Sequence, residues 1–61
     1  MATYKGVIYY SSGIREETGG FSGPMADRSC ERYTAELFAR RQRESAAYRD
    51  RPTRFDVKKV S

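Results

Sequence analysis

TYKGVIYYSSGIREETGGF, residues 3–21, decides how this chain folds. Its first half, residues 3–10, is dense in β-branched and aromatic side chains, the composition of a strand. SSG follows, and then IREETGGF. A three-residue loop with Gly13 in the left-handed conformation closes a bulged hairpin. In that register Tyr10 lies opposite Ile14, Ile8 opposite Glu16 and Gly6 opposite Thr18. Tyr4, Gly6, Ile8, Tyr10 and Ile14 then share one face, and Lys5, Val7, Tyr9, Arg15 and Glu17 the other. The first set is the more apolar, so it is expected to face the core.

Outward from the hairpin, GGFSGP (19–24) is turn chemistry that ends the second strand, with Phe21 expected to be buried. Asp27 is the expected N-cap, and Glu31 falls early in a helix, where the macrodipole favours acids. Cys30, Tyr33, Thr34, Leu37 and Phe38 recur at helical spacing, and Arg41 extends that stripe only by its methylenes. A helix over 27–41 is about 22 Å long, close to the length of a seven-residue strand. The apolar stripe therefore stops where a sheet would stop. Residues 42–52 are expected to form a basic helix extension and linker within one domain of residues 1–61. Pro52 ends the helix, and TRFDVKKV (53–60) alternates as a closing strand, with Phe55 and Val57 toward the helix and Arg54, Asp56 and Lys58 away. The expected fold is α+β, in the order β-β-α-β. A right-handed crossover puts the last strand beside the first, giving a three-stranded antiparallel sheet of order 2-1-3 with one long helix on one face.

Sixty-one residues with one cysteine and no histidine exclude an internal disulfide and a histidine–cysteine zinc site. A core this small leaves self-association as a route to stability, so a homodimer is one expectation. GVIYY is too short for the apolar run of a leader or a membrane span, and a reduced, cytoplasmic setting is expected. The formal net charge is +4, and it resides in one segment. Between residues 40 and 54, Arg40, Arg41, Arg43, Arg49, Arg51 and Arg54 face only Glu44 and Asp50, while bases and acids balance elsewhere.

The combination of VIYYSSGIREE, SGPMADRSCERYTAEL and TRFDVKKV resembles short proteins of phages and high-GC bacteria. Those join an aromatic-rich hairpin, a Gly-Pro-apolar junction, an Ala/Glu/Arg-rich helix and a closing strand. The resemblance covers nearly the whole chain and implies a β-β-α-β fold and a viral origin. It brings no catalytic motif, and where a Ser or Thr cap usually follows the junction this chain has Ala26.

The chemistry offered by individual residues is sparse. Cys30 sits on the apolar stripe with no histidine to act as its base, so it reads as core. Glu16 and Glu17 are adjacent on a strand and point to opposite faces, which rules out a paired acid/base site. TGGFSG lacks the spacing and the Lys-Ser/Thr of a phosphate loop. No enzyme activity, cofactor or metal is expected. The arginines remain: they suit phosphate or carboxylate contacts, although a solvated arginine/glutamate face has the same pattern. The open sheet face, with Lys5, Val7, Tyr9, Arg15, Arg54 and Lys58, is the second candidate surface. The favoured expectation is a small binding protein that modulates a host protein bearing an acidic surface. Val7, Tyr9, Arg40, Arg41, Arg43, Tyr48 and Arg49 would contact that partner. The alternative is a nucleic-acid-binding accessory protein with Arg40, Arg41, Arg43, Arg49, Arg51, Arg54 and Lys58 on phosphates.

Overall fold

A computed structural model describes residues 2–45 and 50–61. Strand β1 (Thr3–Tyr10) leads into β2 (Arg15–Glu17) and the short β3 (Phe21–Ser22). Helix α1 (Ala26–Glu44) and strand β4 (Pro52–Lys59) complete an α+β fold. All pairings are antiparallel and all are with β1: β4 along one edge, β2 and β3 on the other. Among the described residues no helix is long and apolar enough to cross a membrane.

The hairpin register is the expected one. Ile8 lies opposite Glu16, the Tyr10 N–H donates to the Ile14 carbonyl at 2.9 Å, and Gly13 has φ 94°. What the expected second strand lacks is continuity. Thr18 lies opposite Gly6 but Phe21 lies opposite Tyr4, so Gly19 and Gly20 together face Lys5 in a bulge. That bulge divides the strand into β2 and β3. The Thr18 hydroxyl repairs the ladder there by accepting the Gly6 N–H at 2.9 Å. A second irregularity, between Tyr9 and Tyr10, leaves Thr53 as the extra residue on β4, and its hydroxyl donates to the Tyr9 carbonyl at 3.2 Å.

The helix does not ride on its largest side chains. Its buried line is Ala26, Cys30 and Thr34, all small and four residues apart. The line lies over Gly6, where a β-carbon would overlap Thr34 Oγ1. The bulky stripe residues straddle the line. Phe38 meets Phe55 of β4 with ring centroids 5.3 Å apart. Tyr33 meets Phe21 of β3 at 5.5 Å. Tyr33 is consequently 49% exposed and Phe21 half-buried, whereas Ile8 is fully buried at the centre.

Two expectations need correction. The N-cap is Met25, in the left-handed conformation at φ 61° and without a side-chain cap, and Asp27 instead lies in the first turn. The Gly23 and Met25 turn is so tight that the Ala26 N–H already reaches the Gly23 carbonyl at 3.2 Å, which starts the helix early. Ile14 is 60% exposed rather than part of the core, because it sits at the hairpin tip, outside β2. The helix continues to Glu44, within the expected extension, and the N–H of Ser45 closes it on the Arg41 carbonyl.

The hairpin tip is tied to the start of β4. The Asp50 carboxylate accepts the Ser12 N–H at 3.0 Å, the Ser12 hydroxyl at 2.7 Å and the Ser11 hydroxyl at 3.2 Å. These bonds favour the ionised carboxylate, and with Ser12 as the main cause they hold its pKa below the usual range. The clasp is therefore in place above the unfolded-state pKa and is lost as pH falls through the lower folded value. Asp50→Ala should accelerate hydrogen exchange of the Ser12 amide, with little change in the central β1 amides. Unchanged exchange at Ser12 would mean the clasp does not persist in solution.

Both sheet edges carry features that oppose strand-to-strand pairing. Gly6 directs its N–H and C=O to Thr18, so Val57 opposite it turns its own N–H to the outer edge of β4. There the Asp56 carboxylate accepts that N–H at 2.9 Å. The other edge is interrupted by the Gly19–Gly20 bulge. Pairing of two copies through an edge, one route to the expected homodimer, would have to displace these contacts.

Candidate interaction surfaces

Among the described residues the face of the sheet opposite the helix has no second layer, and its side chains fall in cross-strand rows. Arg15, Tyr9 and Arg54 form one row; Glu17, Val7 and Asp56 form the next; Lys5 and Lys58 form the third. The third row has no side chain on the bulge side, where Gly19 and Gly20 stand. Lys5 and Lys58 thus face each other directly across the strands, an arrangement that opposes folding slightly unless something else uses the charge. Among the described residues, Lys5, Arg15, Arg54 and Lys58 form no ion pair.

Tyr9 is the centre of this face. The Arg54 guanidinium stacks on its ring, 3.8 Å from the centroid. Lys58 reaches back across the second row to place Nζ 5.9 Å from the same ring. Long cationic side chains cover apolar surface with their stems. This explains why Val7, on an open face, is only 4% exposed. Val7 therefore lies beneath the cations, whereas half-buried Tyr9 and the charges around it form the accessible surface.

The helix arginines do not act together with that face. Arg41, expected as a partner or phosphate contact, is turned back onto the hairpin. Its Nε and one terminal nitrogen donate to the two Glu16 oxygens at 3.2 and 2.9 Å, and the other terminal nitrogen reaches Glu44 at 3.4 Å. Tyr10 donates its hydroxyl to Glu16 at 2.6 Å. Arg41 above all, then Tyr10, depress the Glu16 pKa. Burial first, then the bond to Glu16, pushes the Tyr10 phenol up to about 12. Arg41 thus pins the helix to the hairpin through Glu16, which lies on the helix side of the sheet beneath it.

Arg40 and Arg43 stay on the helix, on the flank that carries Tyr33, and line an open groove of about 320 Å³ with Tyr33, Glu36 and Leu37. The helix covers one face of the sheet, so this groove and the Tyr9 face are separate surfaces. The expected partner set is thereby divided between them. The expected phosphate set is divided as well: Arg54 and Lys58 are on the sheet, Arg40 and Arg43 on the helix, and exposed Arg51 beside the hairpin tip, where its N–H donates to the Ser11 hydroxyl at 3.2 Å. Tyr48 and Arg49, and with them most of the expected 42–52 extension beyond Ser45, lie outside the described residues. Cys30 is fully buried, with Sγ 3.9 Å from the Thr34 hydroxyl.

Tyr33, Glu36 and Leu37 were not singled out together by the sequence reading. Their signal was there: residues 33, 36, 37, 40 and 43 recur at three and four on one helix flank. No family model, curated protein or solved structure matches this chain.

Proposed function

We propose that this chain is a small, non-catalytic binding protein that modulates a partner protein by docking the open face of its sheet on an acidic surface. With the viral origin that the resemblance implies, the partner is a host protein. One observation carries the reading. Arg15, Arg54 and Lys58, which form no ion pair among the described residues, cluster about Tyr9 on a sheet face that no other described element covers. Arginine and tyrosine are the side chains that anchor protein interfaces, and a cluster of unpaired cations steers them toward negative charge. The rival nucleic-acid reading uses the same cations. It is disfavoured because Arg54 already occupies the Tyr9 ring and because Glu17 and Asp56 interrupt the positive surface. A strand of phosphates would meet both acids, and a base would have to displace the guanidinium.

The test is retention of a host protein on immobilised wild-type chain, compared with an Arg15→Glu/Arg54→Glu variant of unchanged circular dichroism. Reversing two exposed charges should weaken the retained partner by about tenfold or more, mostly through slower association. A partner retained equally by both proteins would remove the open face from the interaction. Binding of duplex or single-stranded DNA at low salt, with affinity falling by a slope near −0.9 per phosphate on duplex, would replace the protein reading with the nucleic-acid one.

A further inference from the structure

We infer that the helix flank is a second recognition site, which takes a short acidic polypeptide segment in the groove between Tyr33 and Arg43. It is independent of the open sheet face. The groove has two ends of different chemistry. At one end Tyr33 is 49% exposed yet held by its ring contact with Phe21, and Leu37 is half-buried beside it. A large side chain that is positioned but uncovered loses little entropy on contact, so it makes a good anchor. At the other end are Arg40 and Arg43. Arg40 has only a 4.0 Å approach to Glu44, both side chains being more than half exposed, and Arg43 forms no ion pair among the described residues. The acid within the groove, Glu36, is approached by Arg32 at 3.6 Å, which offsets part of its charge.

Length and charge together select the occupant. The ten helical steps from Tyr33 to Arg43 span about 15 Å. That matches four or five residues of extended peptide at about 3.3 Å each. An apolar side chain of the segment packs on Tyr33 and Leu37, and carboxylates on one side of it pair with Arg40 and Arg43, where guanidinium forks bind carboxylates bidentately. The two arginines sit on one flank, one turn apart, so adjacent acids in the segment reach both.

A fluorescein-labelled pentapeptide with one phenylalanine between pairs of glutamates is the probe, with fluorescence anisotropy as the readout on the full chain. Saturable binding is expected. Arg40→Glu/Arg43→Glu should weaken it by about tenfold or more, and Tyr33→Ala by about fivefold. Arg15→Glu/Arg54→Glu should leave it within about twofold, which separates this site from the open face. Should the charge-reversed variant fail to fold, Arg40→Gln/Arg43→Gln carries the same expectation with a smaller loss. The site is refuted by absence of saturation, by equal losses from the helix and sheet variants, or by a glutamine version of the peptide binding as well as the acidic one. Competition by duplex DNA with the same dependence on Arg40 and Arg43 would reassign the groove to phosphate.

Discussion

Replacing Gly6 with alanine is expected to abolish the folded state or bring it to the edge of stability. The new β-carbon would overlap the Thr34 hydroxyl and lie 2.8 Å from both Cβ and Cγ2 of that residue. Rotation about χ1 cannot relieve this, because Cβ does not move with χ1 and Thr34 is fully buried. The helix must therefore lift off β1, which would open its contacts along the Ala26–Cys30–Thr34 line. Overpacking of this kind costs roughly 3 kcal/mol or more when the backbone has to shift. At about 0.05–0.15 kcal/mol per residue, a chain of this length has only about 3–9 kcal/mol in total. Alanine is intrinsically better than glycine in a strand by about 0.5–1 kcal/mol, so a neutral result in urea denaturation would itself refute the close approach. A compensating change makes the test specific. Thr34→Ala removes Oγ1 and Cγ2 and leaves only the 2.8 Å Cβ contact. The double variant should be more stable than Gly6→Ala alone by about 1 kcal/mol or more, although Thr34→Ala by itself is destabilising. Strict additivity of the two changes would place the two residues out of contact.

Gly6 also shows where reading the chain from composition and period reaches its limit. Period two placed Gly6 on the helix side of the sheet correctly, and the turn chemistry of SSG placed the hairpin register to the residue. Period 3.6 placed Cys30 and Thr34 on the inner face of the helix. It could not rank them against Tyr33 and Phe38, because hydrophobicity alone favours the large rings for the centre. The centre is decided by distance. A glycine opposite a helix allows close approach, and close approach admits only small side chains such as Ala26, Cys30 and Thr34. The rings are displaced to the flanks, against Phe55 and Phe21. The same displacement exposes Tyr33 and creates the groove that was not anticipated. For the charged residues, parity was legible and pairing was not. Glu16 fell on the helix side of the hairpin, and Arg41 was the one cation on the inner stripe. Counting Arg41 with its basic neighbours hid the fact that a half-buried acid across from it would hold it.

Glu16→Ala is expected to destabilise the fold by about 1.5 kcal/mol at neutral pH, between the values for an exposed pair and a buried one. The side chains of Glu16 and Arg41 are 32% and 36% exposed, so solvent screens part of the attraction, but Tyr10 loses its acceptor as well. The dependence on pH identifies the cause. Arg41, and after it Tyr10, lower the folded-state pKa of Glu16, so the carboxylate stabilises the native chain fully above its unfolded value of 4.5. That contribution disappears as pH falls from there through the lower folded value. Glu16→Gln keeps the size and removes the charge. Its deficit against wild type should be constant at neutral pH and shrink steadily on acidification below about pH 4.5. At the alkaline end the sign reverses, because the Tyr10 pKa is raised. The neutral phenol contributes below pH 10, and the contribution is lost as pH climbs toward about 12. An ultraviolet titration of the folded protein should show one phenol ionising near 12, and Tyr10→Phe should remove it. If Glu16→Gln instead tracks wild type at every pH, Arg41 does not pin the helix end to the hairpin in solution. It would then be free to join Arg40 and Arg43 on the helix as a third cation for an acidic ligand.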